Sequence, residues 1–179
     1  LVVVAFKPEL GDLMKRLELG KAFGMEYKFR AREFERELQE TRELGERAQP
    51  SPTEPLAVDP QIQKGWLQIK LEDNPRLAIQ HAWFVVEQAL QSVPLDDSQK
   101  TTKIPYLALK SAIDRLIEFD LLSDAARQTY DGLRHLKNQA AHDGKFDISV
   151  EQASQYGETA FKLAAQIYSA ASKLKRLDA

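Results

Sequence analysis

Apolar residues recur at helical spacing through most of the carboxyl-terminal two thirds of the chain, and this periodicity limits the fold more than any other feature. Ile79, Trp83, Val86 and Leu90 fall at i, i+4, i+7 and i+11, one stripe of a helix. Asn74-Pro75 introduces that stripe as N-cap and first helical residue, and Pro94 ends it. A second helix starts at Pro105 and carries Leu109, Ile113, Leu116 and Ile117. A third follows Ser123, with Asp124 in its first turn and Ala126, Thr129, Leu133, Leu136 and Ala140 on its apolar side, and stops near Asp143-Gly144. A fourth follows Ser149, whose Ser-x-x-Gln with Gln152 has the form of a capping box. It runs to about Leu177 along Ala153, Tyr156, Ala160, Leu163, Ile167, Ala171 and Leu174. Upstream, Pro60 to Leu71 adds a turn or two with Ile62, Trp66 and Ile69. No strand pattern intrudes after Pro60. The expectation is an all-α fold, a nearly antiparallel four-helix bundle over residues 61–179.

Composition narrows the function classes. The 179 residues include no cysteine, which removes disulfide scaffolds, thiolate metal sites and cysteine nucleophiles. Twenty-five Lys and Arg against 27 Asp and Glu leave a net charge of −2, so the chain is not a strongly basic nucleic-acid binder in bulk. A local basic patch is still compatible with that balance.

The amino-terminal third reads differently. Leu1 to Phe6 is apolar but far short of the roughly 20 residues that span a bilayer. Two readings stay open: a short buried strand or frayed end, and the last turns of a transmembrane helix. The Lys and Arg crowding residues 7–36 favour the second, with this region on the cytoplasmic face of a membrane. Residues 8–19 read as a short helix, broken by Gly20 and Gly24. Tyr27, Phe29 and Ala31 alternate with charged residues as in a short strand. Ala31 to Ala48 is nearly all charge, with only Phe34, Leu38 and Leu44 as larger apolar residues, so a mostly solvated helix outside the bundle core is expected. Gln49 to Pro60 holds half of the eight prolines and reads as an extended linker. The expected organisation is therefore 1–6 membrane end, 7–48 charged juxtamembrane region, 49–60 linker and 61–179 bundle.

One segment concentrates polar chemistry within a strongly helical context. At about 100° per residue, Asp131, Arg134, His135, Asn138 and His142 share one face, opposite Leu133, Leu136 and Ala140, and Lys137 flanks it. Such a set suits binding an anion or passing protons. It equally suits a solvated helix face, since the apolar back is what any bundle helix shows. Small Ala140 and Ala141 would let another backbone approach. Elsewhere, His81 reads as a partly exposed surface histidine, and Trp66 and Trp83 as core. Asp73 and Asp96-Asp97 lack the spacing of a cation loop. The residues suggest neither a cofactor nor a metal.

The run Leu133-Arg134-His135-Leu136-Lys137-Asn138-Gln139-Ala140-Ala141-His142 resembles the signature of HEPN-type domains, small helical bundles. Asn74-Pro75-Arg76-Leu77-Ala78-Ile79 and Ala82-Trp83 with Glu87 resemble a bacterial branch of that family, mostly of unknown function. In that branch a membrane segment and a charged region often precede the bundle. The resemblance implies a homodimer in which two motifs meet in one cleft. Active members are metal-independent ribonucleases, in toxin or phage-defence settings among others. By resemblance, His142 is the general acid or base and the motif's cation stabilises phosphorane-like charge. This chain carries Lys137 where the motif has Arg. Lys keeps the charge but loses the bidentate fork to phosphate. The expectation is a dimeric, membrane-tethered interaction or sensory module that binds RNA or nucleotide without turnover. A ribonuclease using His142, Lys137 and Asn138 is the alternative.

Overall fold

The structure, a computed structural model, describes residues 7–48, 74–95, 105–142 and 147–177. It holds five helices: α1 (Lys7–Arg47), α2 (Pro75–Gln91), α3 (Pro105–Glu118), α4 (Asp124–His142) and α5 (Val150–Leu177). No strand occurs among the described residues, and the fold is an all-α helical bundle.

The starts of α2, α4 and α5 follow their sequence signals. Asn74 Oδ1 accepts from the Leu77 backbone N–H at 3.0 Å, with Pro75 in the first turn. Ser123 Oγ accepts from the Ala126 N–H at 3.3 Å. Ser149 and Gln152 cap each other: the Gln152 N–H donates to Ser149 Oγ at 3.1 Å, and the Ser149 N–H to Gln152 Oε1 at 2.9 Å. The end of α3 closes in a Schellman turn. The N–H of Leu121 donates to the Leu116 carbonyl and that of Asp120 to the Ile117 carbonyl, both at 2.9 Å, and Asp120 takes φ 53°.

The core lies mainly between α2 and α5, whose contact is the most extensive, with α3 and α4 closing its sides. Small residues of α5, among them Ala153, Gly157, Ala160 and Ala164, are buried and let its neighbours come close. Trp83 is 4% exposed and stacks at a tilt on Tyr130, ring centroids 5.3 Å apart, in keeping with a core role. Trp66 lies outside the described residues.

The amino-terminal third departs from the expectation. Residues 7–47 form one continuous helix through Gly20 and Gly24, and the stretch around Phe29 is helical rather than a strand. An internal glycine costs only about 1 kcal/mol relative to Ala, which good helix formers on either side offset. Alternation over three or four residues is too short to compete with the helical period. The helix also joins the core. Phe34 and Leu38 are fully buried, and α1 packs on α4 and then α5. Its docking stripe is Phe34, Leu38, Thr41, Gly45 and Ala48, at alternating spacings of four and three. Its outer face carries ion pairs such as Arg42–Glu46 at 3.4 Å, each worth only tenths of a kcal/mol. The charge density seen in the sequence thus belongs to one side of a docked helix.

Among the described residues no helix is long and apolar enough to cross a membrane. The Leu1–Phe6 run, the linker 49–60 and the 60–71 segment lie outside the described residues.

Candidate functional site on α4

The two helices flanking α4 decide where its polar residues face. Gly132, His135 and Gln139 lie toward α1: Gln139 Nε2 donates to Glu37 Oε2 at 2.9 Å, and His135 Nε2 is 3.3 Å from the same oxygen. Gln139 and His135 also meet each other at 2.8 Å. On the other side, Lys137 Nζ sits 5.9 Å from the centre of the Trp83 ring of α2 and donates to Asn138 Oδ1 at 3.3 Å. Between these flanks Asp131 and His142 are exposed, and Arg134 and Asn138 are half-buried. The single polar face read from spacing is therefore real on the helix but divided in the fold. His135 is bridged to α1, Lys137 is turned to α2, and Asp131 and His142 face outward.

Residues from other helices complete the surroundings. Arg76, near the start of α2, donates from Nη1 to the Ala140 carbonyl at 2.5 Å. That carbonyl is one of the last four of α4, which have no partner within the helix, and a cation there also suits the helix dipole. Arg76 thereby holds the turn that carries Asn138 and His142. Trp83 Nε1 donates to Glu87 Oε1 at 2.6 Å, so the indole under Lys137 is itself fixed. Tyr156 of α5 donates to the Leu133 carbonyl at 3.0 Å. Burial, and then the negative charge of Glu87, push the Tyr156 phenol well above its usual pKa. His81 is half-buried on α2, close to the surface role expected of it.

Sequence reasoning missed Arg76, Glu37 and Gln139 as partners of the α4 face. Arg76 carried a signal, since it lies in the Asn74-Pro75-Arg76 opening that resembles the family. Glu37 carried none, because one acidic residue in a charged helix looks like the rest.

Among the described residues no group of three or more His, Asp or Glu side chains is placed to hold a metal ion. No protein-family model matches the chain, and neither a curated protein nor a solved structure matches it.

Proposed function

We infer that the chain is an interaction module, resembling HEPN-type domains, that works as a homodimer and binds the phosphates of RNA or a nucleotide through α4 and its α2 flank without turnover. The observation that carries this reading is the placement of Lys137. Its ammonium lies against the Trp83 ring and Asn138, on the α2 flank. His142 lies five positions further on, about 140° around the helix, so the two side chains leave α4 in different directions. The cation at the motif's Arg position is a lysine, which keeps the charge but lacks the bidentate fork to phosphate, and this suits binding better than hydrolysis. The proposal includes a tether on the cytoplasmic face of a membrane, motivated by the apolar Leu1–Phe6 and the basic residues after it. The ribonuclease reading keeps one point in its favour: His142 is exposed at the end of α4, where a second protomer's motif could meet it.

Fluorescence anisotropy with labelled single-stranded RNA, and a denaturing gel of the same mixtures without metal, test the proposal. Binding that weakens with salt, without cleavage, supports it. Cleavage that disappears in His142→Ala and rises in Lys137→Arg would replace it with the ribonuclease. Light scattering that finds only monomer would remove the dimer.

A further inference from the structure

The outward side of α2 carries no Lys, Arg, Asp or Glu, and in this it differs from the other four helices. Between Pro75 and Gln91 the only such residues are Arg76 and Glu87. Both are engaged on the bundle side: Arg76 donates to the Ala140 carbonyl, and Glu87 accepts from the Trp83 indole. The exposed residues of the helix are Leu77, Gln80, Phe84, Gln88 and Gln91. At about 100° per residue they form one stripe about 80° wide, with half-buried His81 at its border. By contrast, Arg36 and Glu40 are exposed on α1, Lys110 and Glu118 on α3, Asp124 and Asp131 on α4, and Glu158 and Lys162 on α5. Charged residues make up 29% of the chain, so an exposed stripe without them is not what solvation alone requires.

Two large apolar side chains stand on the same stripe. Leu77 and Phe84 are each 49% exposed and lie two turns apart, about 10 Å along the axis. Single exposed apolar residues are ordinary. An aromatic and an aliphatic residue on one charge-free face, with only glutamine and histidine around them, have the composition of an interface core.

We propose that a second copy of the chain docks on this stripe, α2 against α2, in an antiparallel pair about a two-fold axis between Gln80 and His81. That a dimer forms rests on the reading above; the face it uses rests on α2 alone. In a symmetric pair each patch meets itself, so a charge near the axis meets its own like. A stripe without such charges meets its copy with no such repulsion, whereas a partner chosen by charge would find nothing to pair with. Leu77 and Phe84 are equally far from the axis, so Leu77 packs on the partner's Phe84, and the same contact recurs on the other side. Glutamine is both donor and acceptor, so Gln80 is able to bond its own kind. Trp83, which carries Lys137, points about 120° away from Leu77 around α2, so the pair leaves the Lys137 flank open. One helix face from each copy is small beside the roughly 1,600 Å² of a standard interface, so a reversible dimer with Kd in about the micromolar range is expected.

Analytical ultracentrifugation of the full chain over a range of concentrations tests this. Wild type should pass from monomer to dimer. Leu77→Lys and Phe84→Glu should each weaken the dimer about tenfold or more, and the two together in one chain should recover most of it, because the new charges face each other across the axis. Both side chains are half-exposed, so circular dichroism and the thermal midpoint of the dilute variants should match wild type, which separates loss of dimer from loss of fold. A dimer that persists in both single variants would overturn this face while leaving the homodimer reading intact. Wild type that stays monomeric would overturn both. Single variants that dissociate without recovery in the double variant would overturn the antiparallel pairing.

Discussion

Gly132 of α4 and Thr41 of α1 touch with no room for a methyl group between them. A Cβ built on Gly132 would overlap Thr41 Oγ1 and lie 3.0 Å from its Cγ2 and 3.2 Å from its Cβ. This close approach, with Gly45 against Thr159 and Thr129 further along, lets α1 lie down on α4 and α5.

Gly132→Ala should therefore destabilise the protein, although Ala is the better helix former. The propensity gain is about 1 kcal/mol, while overpacking a fitted contact costs about 1–3 kcal/mol. Rotating Thr41 cannot clear the clash fully, because its Cβ is itself within 3.2 Å. A net loss of about 1 kcal/mol is expected in chemical denaturation. Thr41→Ala in the same chain should recover most of it. A Gly132→Ala variant more stable than wild type would show that α1 does not press on α4 here.

The same contact explains which parts of the fold were legible in the sequence. Helices α2, α4 and α5 announce themselves through Asn74, Ser123 and Ser149, because a cap is a local event that a few residues encode. The docking of α1 is not local. Its stripe has two large apolar residues, Phe34 and Leu38, and then Thr41, Gly45 and Ala48, whose role is to be small. A count of apolar side chains undervalues such a stripe, since its partner supplies much of the contact. The α4 face was legible as spacing, but its division was not. Lys137 meets Trp83, and His135 meets Glu37, only when separate helices come together.

Tyr156→Phe should cost about 1 kcal/mol near neutral pH, where the buried hydroxyl donates to the Leu133 carbonyl. The two proteins should also differ in alkali. The folded-state pKa of Tyr156 is raised by burial and by Glu87, so the folded protein holds the phenolic proton more tightly than the unfolded chain. This contribution is complete below the unfolded value of about 10 and is lost as pH rises above it. Denaturation of the two proteins at pH 7 and pH 11 should show wild type losing more stability than Tyr156→Phe. Equal losses would mean that the phenol ionises freely in the folded state.

Asp120→Gly should stabilise. Asp120 holds φ 53° at the left-handed position of the Schellman turn, where glycine carries no Cβ penalty. Part of the gain is lost because glycine also frees the unfolded chain. A net gain of about 0.5 kcal/mol is expected, read as a rise in thermal midpoint, and Asp120→Ala should move it down. A fall in Asp120→Gly would mean that the carboxylate makes a contact worth more than the backbone strain.

Arg76 ties the beginning of α2 to the end of α4, and removing that tie should loosen the turn that presents His142. The guanidinium donates to the Ala140 carbonyl, a charge-assisted bond at a helix end that has no other intrahelical acceptor role to fall back on. Arg76→Met keeps much of the aliphatic stem and removes the donors, so packing changes little. The expected cost is about 1–2 kcal/mol of global stability. Hydrogen exchange should rise most for the backbone amides of residues 138–142, while those of α5 should follow only the global change. The RNA binding proposed above should weaken in parallel, since Asn138 and His142 ride on that turn. Unaltered exchange at the end of α4 together with weakened RNA binding would reassign Arg76 from holding the helix end to contacting phosphate directly.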